Sequence, residues 1–404
     1  MGFIPRVKIL LCAPPPTSAV GGGYLYNQAL ASHPAFHYQH IAAAALRSRL
    51  LEICDKTSGT AHTITHILLD SLYLATPADL SSALVALNSH RRRQSGTPEL
   101  GLLAHLLPSQ NHQDHVLHGN SRSLNRTEAA EAHARTRTEA AEAAETMLLS
   151  MFTFAVAPSQ FAARELMRRG LAASRIGVAY PAPVSRPVSR PGWESAPLVA
   201  SKACAQSPGA PSPGLNFLSV GNWSPRKNLA GLLEVFGALT RYDWSWKIVV
   251  GDAVRQDISG RMEFMNGLHA LGIHERVTIE TQPSRPRLHE LYRDADCFVM
   301  APLAETYGIV FAEALSYGCV VVAPNTPPFT EFLTPHLNSL LCHPGEQNKW
   351  IAAIEVLLTD PELRTRLQSH APHAEAASRT YHNTAGDMVR FLSGAGAVTS
   401  TSAL

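Results

Sequence analysis

Nowhere does the chain hold the roughly 20 consecutive apolar residues that a membrane-spanning helix needs, so a helical membrane protein is not expected. A secretory leader is not expected either. The apolar run at 9–13 is short and runs into Pro14-Pro15-Pro16, which reads as a first β-strand. An excess of one charge sign is also missing: 34 Lys and Arg face 32 Asp and Glu, a net charge of +2 with histidine neutral. That balance gives no electrostatic case for a nucleic-acid partner, and nothing in the sequence supports a peripheral membrane contact. Cysteine is sparse, with six in 404 residues (Cys12, Cys54, Cys204, Cys297, Cys319, Cys342) and no CxxC pair. Several lie inside apolar runs such as CFVMA and CVVVA, as buried reduced thiols do, which points to a reducing, cytoplasmic setting. The sequons Asn125-Arg126-Thr127 and Asn222-Trp223-Ser224 would stay unmodified there.

What the chain does hold is length for two cores, since a single core stops growing at roughly 250–300 residues. Its composition, 45% hydrophobic and 16% charged, is that of an ordinary globular protein. In the first half, short apolar runs at 7–12, 66–69, 102–106, 152–157 and 176–179 alternate with helical patterns. The second half repeats this with runs at 217–220, 247–250, 277–279, 297–301 and 319–323, and a shorter candidate at 340–341. Apolar runs without period-two alternation, separated by helices, indicate parallel strands buried on both faces. Each half is therefore expected to be a Rossmann-like, doubly wound α/β domain. The expected boundaries are 1–184 for the first domain, a Pro/Ser/Ala-rich linker or insertion at 185–214, a second domain at 215–375, and a final helix with a disordered tail at 376–404. RTEAAEA occurs at 126–132 and again eleven residues later at 137–143. Eleven residues are close to three helical turns, so both copies face one way on an alanine-rich, solvent-facing helix.

The chemistry concentrates in APLAETYGIVFAEALSYGCVVVAP. Glu305 follows a strand ending near Ala301, and Gly308 opens a helix that carries Glu313. A strand, a loop and a helix N-terminus in that order aim backbone N–H groups and the positive end of a helix dipole at a phosphate. Glycine lets the phosphate approach the backbone closely. Glu305 and Glu313 then point at different parts of one ligand, as the sugar and the ribose of a nucleotide-sugar are. Two glutamates on a solvated helix are the alternative. Upstream, FLSVGNWSPRKNLAGLLEVF ends a strand at Val220, turns at Gly221 and starts a helix near Lys227. Arg226 and Lys227 thus fall at the carboxyl edge of the second domain's first strand, where open α/β sheets bind ligands. The fork of arginine and the point charge of lysine suit a diphosphate. A basic helix start at the surface is the other reading, and it opposes the helix dipole.

VGNWSPRKNL, RDADCFVMAP, the Glu305/Glu313 pair within AETYGIVFAEALSYG, and DPELRTRL follow in this order. Together they resemble the retaining, GT-B fold glycosyltransferases of family 4, the group with bacterial mannosyltransferases and sucrose-synthase-like enzymes. The resemblance implies two Rossmann-like domains facing across a cleft, with a C-terminal helix crossing back to the N-terminal domain. Ala385, Met388, Val389, Phe391 and Leu392 would supply the apolar face of that helix. It also implies transfer of a hexose from a nucleoside diphosphate sugar to an acceptor hydroxyl on a glycan, lipid or small molecule. By the same resemblance Glu313 binds the ribose hydroxyls and Glu305 contacts the transferred sugar. The backbone at Tyr307, Gly308, Ile309 and Val310 holds the diphosphate near Gly221, and Arg226 and Lys227 stabilise the leaving group. With charge supplied by these cations and a helix N-terminus, no metal is expected, and the nucleotide-sugar is a co-substrate. The chain departs from the family at Asn222, where arginine is common, at Pro302 for serine, at Cys319 for proline, and in APNTPPFTE, which lacks glycines before Glu331.

In the first domain, VGGGYLYN places Gly21, Gly22 and Gly23 after the first strand. A glycine loop entering a helix admits a phosphate or sugar to the backbone, and it equally makes a flexible turn. The resemblance selects Gly22 and Gly23 as cleft elements. Asp70 closes HILLD and His105 closes LGLLAH, so both fall at strand carboxyl ends. The resemblance sets His105 near the transferred sugar; otherwise it supports the sheet edge. Asp70 is expected to cap a helix rather than act on a ligand, though a place in the cleft stays open to it. Asp294-Ala295-Asp296 spells a D-x-D metal pattern but precedes a buried strand, where Asp296 supports the fold. His112, Asp114, His115 and His118 read as a polar loop rather than a zinc site. Two other classes fit part of the pattern: a nucleotide-sugar epimerase of the same fold, which needs no acceptor, and a non-catalytic nucleotide-sugar-binding subunit.

Overall fold

A computed structural model describes residues 7–15, 22–57, 64–93, 97–105, 128–183, 214–251 and 258–394. The chain divides into two compact units. One takes in Gly23–Pro181 with the strand before it and Tyr381 onward, and the other takes in Ala182–Thr380. The Pro/Ser/Ala-rich segment expected at 185–214 lies outside the described residues, apart from Gly214.

The first unit runs β1 (Ile9–Ala13), α1 (Gly22–Leu30), β2 (Phe36–His40), α2 (Leu46–Thr57), β3 (His66–Asp70), α3 (Pro77–Arg93), β4 (Glu99–Leu103), α4 (Glu128–Leu149), β5 (Phe154–Ala157), α5 (Gln160–Arg168) and β6 (Ile176–Val178). Its sheet is parallel throughout, in the order β2-β1-β3-β4-β5-β6. Every residue of β1 and β3 is buried, as strands covered by crossover helices on both faces require. β2 was not legible as a strand. It forms the sheet edge and buries only Phe36 fully, so FHYQH carries no apolar run.

The strand expected at 102–106 lies earlier, at Glu99–Leu103. Its ladder with β3 pairs His66 to Glu99 and ends at Asp70 opposite Leu103. Apolarity continues past that point, but the pairing partner does not. The repeat-bearing α4 is not solvent-facing throughout. Glu145 is buried and pairs with Arg169 at 2.8 Å, and Arg169 also meets Glu142 at 3.4 Å and Glu165 at 3.2 Å.

The second unit runs β7 (Leu215–Gly221), α6 (Leu229–Gly237), β8 (Trp244–Val250), α7 (Ile258–Ala270), β9 (Val277–Thr281), α8 (Arg285–Asp294), β10 (Cys297–Val299), α9 (Ile309–Ser316), β11 (Val320–Pro324), β12 (Ser339–Cys342), α10 (Gln347–Thr359), α11 (Pro361–His370) and α12 (Glu375–Ser378). The parallel order is β12-β11-β10-β7-β8-β9. Alternate residues serve opposite faces. Phe217, Cys297, Val299, Val320 and Val322 join one apolar cluster, while Leu218, Phe298, Val321 and Ala323 join another. This is a doubly wound sheet with a core on each side.

The last described helix, α13 (Tyr381–Leu392), belongs to the first unit. Thr384 Oγ1 donates to Tyr180 O at 2.8 Å, and Thr384, Ala385 and Met388 are buried. The Phe391 ring lies over Gly177 and meets Phe154 edge-on at 6.2 Å. The helix expected to return to the N-terminal domain does so, through the apolar face read from its spacing. Among the described residues, no helix is long and apolar enough to cross a membrane. Cys12, Cys54, Cys297, Cys319 and Cys342 are buried thiols outside any disulfide, and burial pushes the Cys12 thiol up to about 12.

Candidate active site

In the second unit β7 lies between β8 and β10, so successive connections run outward from it in opposite directions. The loops leaving β7 and β10 therefore open side by side at the carboxyl edge, the switch point at which such sheets bind ligands. The first loop leaves β7 at Gly221, makes a 3₁₀ turn at Pro225–Lys227, and enters α6 through Asn228, whose φ of 52° is left-handed. The second loop carries Glu305. Hydrogen bonds tie the two together: Leu303 N donates to Arg226 O at 2.9 Å, Asn228 Nδ2 to Ala301 O at 3.1 Å, and an Arg226 guanidinium nitrogen to Ala304 O at 2.7 Å.

Glu305 is held from both sides of this seam. Its Oε1 pairs with Lys227 Nζ, and its Oε2 lies 3.3 Å from Arg226. Burial by itself pushes the Glu305 carboxyl up, but Lys227 and then Arg226 override it and bring the acid down to about 2. Burial also draws the Lys227 ammonium below the ordinary lysine range, with Glu305 working against it. Two cations sharing one carboxylate leave a net positive charge beside the end of β7.

Gly308 precedes α9 with φ 90°, a conformation that disfavours any side chain. A Cβ there would also stand 2.9 Å from the Phe311 ring. Tyr307 is buried against Phe332, with ring centroids 4.7 Å apart, while Ile309 and Val310 are half-buried in the first turn of α9. Glu313 sits further along α9, buried, and its Oε2 accepts from the Tyr292 hydroxyl at 2.8 Å. Tyr292 stacks on Tyr317, whose hydroxyl contacts His289 Nδ1, and its carbonyl accepts from Cys319 Sγ at 3.2 Å. The two glutamates thus have separate supports: Glu305 the β7 loop, Glu313 a tyrosine from α8. Tyr292 carries no sequence signal of this role. It lies 21 residues before its partner, on a different helix.

Gly22 and Gly23 open α1. Asp70 ends β3 and caps the following 3₁₀ turn by accepting from Leu72 N at 2.8 Å, the capping role expected of it. It also accepts from Asn27 Nδ2 at 2.5 Å. His105 lies two residues past the end of β4 rather than closing it, with Nε2 3.1 Å from Asn27 Oδ1 and 3.5 Å from Asp70 Oδ2. Asn27 had no sequence signal beyond its place one turn into the helix after the glycines.

The D-x-D pattern serves the fold: Asp294 ends α8, and Asp296 Oδ2 accepts from Asn216 N at 3.0 Å, anchoring the start of β7. His112, Asp114, His115 and His118 lie outside the described residues. Among the described residues, no group of three or more His, Cys, Asp or Glu side chains is arranged to hold a metal ion. Of the departures from the family pattern, Asn222 is exposed and Pro302 buried.

Residues 203–374 match the glycosyl transferases group 1 family. Among curated proteins, the chain is similar to a GDP-mannose:cellobiosyl-diphosphopolyprenol alpha-mannosyltransferase of Xanthomonas campestris, 29% identical over 126 residues, 31% of this chain and 33% of that protein. It is also similar to a D-inositol 3-phosphate glycosyltransferase of Xylanimonas cellulosilytica, 32% identical over 138 residues, 33% of this chain and 31% of that protein. The chain spans about a third of the length of these curated relatives. Among solved structures, it is similar to Anabaena HepE in complex with UDP and glucose, with a TM-score of 0.68 and 17% identity, over 96% of this chain and all of that one. Sucrose-phosphate synthase from Thermosynechococcus elongatus gives a TM-score of 0.65 at 18% identity, over 97% of this chain and all of that one. At such identities the likeness speaks for the fold, two parallel six-stranded Rossmann-like sheets with helices. The match to the glycosyl transferases group 1 family is thus carried by residues 203–374, and the two six-stranded sheets are those of a GT-B fold.

Proposed function

We propose that the chain is a retaining glycosyltransferase that moves a hexose from a nucleoside diphosphate sugar to an acceptor hydroxyl. The observation that carries this reading is the Arg226–Lys227–Glu305 cluster, two cations and a carboxylate between neighbouring loops at the switch point and just ahead of the α9 N-terminus. A diphosphate meets net positive charge and aligned backbone N–H groups there. Glu313, oriented by Tyr292, binds the ribose. Glu305, ionised and held in place, contacts hydroxyls of the transferred sugar. Tyr307 to Val310 hold the diphosphate through the backbone, beside Gly221. Residues 215–375 are the donor domain and 1–184 the acceptor domain, to which Gly22, Gly23, Asp70 and His105 contribute.

The reaction breaks the bond between the anomeric carbon and the diphosphate oxygen. The acceptor oxygen bonds that carbon on the same face, its proton passes to the departing phosphate oxygen, and nucleoside diphosphate is released. Arg226, Lys227 and the helix N-terminus stabilise the charge that develops on the leaving group. Two similar proteins support the donor class: one is a GDP-mannose:cellobiosyl-diphosphopolyprenol alpha-mannosyltransferase and one is seen in complex with UDP and glucose. The test is release of nucleoside diphosphate from a panel of UDP-, GDP-, ADP- and dTDP-sugars, chosen by thermal shift, with and without added acceptors. Acceptor-dependent release with product of retained anomeric configuration supports the proposal. Sugar isomerisation without an acceptor, or binding without turnover across the panel, overturns it.

A further inference from the structure

Asp70 is wholly buried, and both of its oxygens are engaged: Oδ1 accepts from Leu72 N at 2.8 Å and Oδ2 from Asn27 Nδ2 at 2.5 Å. A carboxylate only accepts, so the Asn27 amide must turn its NH₂ toward Asp70 and its oxygen toward His105. That oxygen lies 3.1 Å from His105 Nε2, and Asp70 Oδ2 lies 3.5 Å from the same nitrogen. Both of these described neighbours of Nε2 are acceptors, which calls for the proton on Nε2.

We propose that Asn27 is a positioning residue that fixes His105 in its Nε2–H tautomer and screens the imidazole from the Asp70 carboxylate, keeping it neutral at pH 7. A carboxylate in direct contact with an imidazole favours the charged ring. Here the carboxylate stands off at 3.5 Å, while the Asn27 amide takes the shorter bond from Nε2 and donates to the same Oδ2, which weakens that attraction. Among the described residues, the titratable groups facing His105 are Asp70, from the end of β3, and the Tyr26 phenol of α1, whose ring meets the imidazole edge-on at 4.9 Å. The Ser71 hydroxyl accepts from His105 N at 3.0 Å and holds the backbone of the same residue. Burial draws His105 below the ordinary histidine value, with Asp70 working against it.

What the neutral ring does in transfer rests on the proposed function. There it exchanges a hydrogen bond with the sugar without adding charge to a site whose charge should build on the diphosphate. The protonation state itself does not depend on that reading.

The experiment follows His105 by ¹H–¹⁵N NMR across pH in the full chain, with no donor or acceptor added. Wild type, Asn27→Ala and Asn27→Asp are compared, with melting curves to confirm folding. Wild type is expected to show protonated Nε2 and a midpoint below the ordinary value of about 6.5. Both variants are expected to raise the midpoint by about one unit or more, one by letting Asp70 pair directly and the other by adding a carboxylate. If Asn27→Ala does not fold, the near-isosteric Asn27→Asp carries the test. An unmoved midpoint in a folded variant, or an Nδ1–H tautomer in wild type, overturns the proposal. Should the midpoint move while no sugar transfer is found with any donor, the role of Asn27 stands and the proposed function falls.

Discussion

Glu305 is an acid whose burial alone would favour the protonated form, yet Lys227 and Arg226 hold it ionised at about 2. Its folded value lies below the ordinary one of 4.5, so its contribution to stability is present in full above pH 4.5 and is lost as pH falls from there toward 2. The shift corresponds to about 3 kcal/mol. Urea titrations between pH 2 and 7 should show this acid limb in wild type and a flatter one in Glu305→Gln. That variant should also be less stable at pH 7, because two cations lose their carboxylate. An acid limb of unchanged slope in the variant would remove Glu305 as its source. Lys227→Ala should lower turnover by about 10²–10³ if Lys227 stabilises the leaving group, measured as initial rate at saturating donor. Glu313→Ala should weaken nucleoside diphosphate binding by roughly ten- to a hundredfold, the cost of losing a charged hydrogen-bond partner. Calorimetry reads it directly, and unchanged affinity would sink the ribose assignment. Tyr292→Phe keeps the stacking on Tyr317 and removes the bond to Glu313, so a smaller loss in the same assay is expected.

At the scale of elements, α13 docks through a socket that tolerates no side chain. A Cβ on Gly177 would lie 2.5 Å from the Phe391 ring, so Gly177→Ala forces the ring or the helix to move. Such overpacking costs about 1–3 kcal/mol, read as a lower urea midpoint. Phe391→Ala should destabilise as well, and the pair together by less than the sum, since the second change removes the clash made by the first. Strict additivity would mean the two residues do not meet. The elements also show what a sequence conceals. Central strands such as HILLD announce themselves because both faces are buried, whereas β2 turns polar residues outward from an edge. β4 slipped by three residues because leucines continue past the end of its ladder. The charged cluster of Arg226, Lys227 and Glu305 was legible because each residue follows a strand end that patterning locates. Tyr292 and Asn27 were not, because each bonds a partner on an element whose approach only the folded chain creates.

For the whole molecule, charge at the proposed donor site comes from two side chains and a helix terminus, and Asp296 is engaged with the Asn216 backbone. Sugar transfer should therefore proceed at an unchanged initial rate in excess EDTA. Abolition with rescue by Mn²⁺ or Mg²⁺ would return the Asp294–Asp296 segment to consideration. The path of the chain has a consequence in time. The second unit ends at Thr380, but the first recovers α13 only when residues 381–392 exist. During synthesis the later unit has all its residues before the earlier one does. A nascent first unit must then leave the socket around Gly177 and Tyr180 uncovered while nearly two hundred further residues are made. The usual order, in which domains mature from the amino end, is thus reversed at its last step.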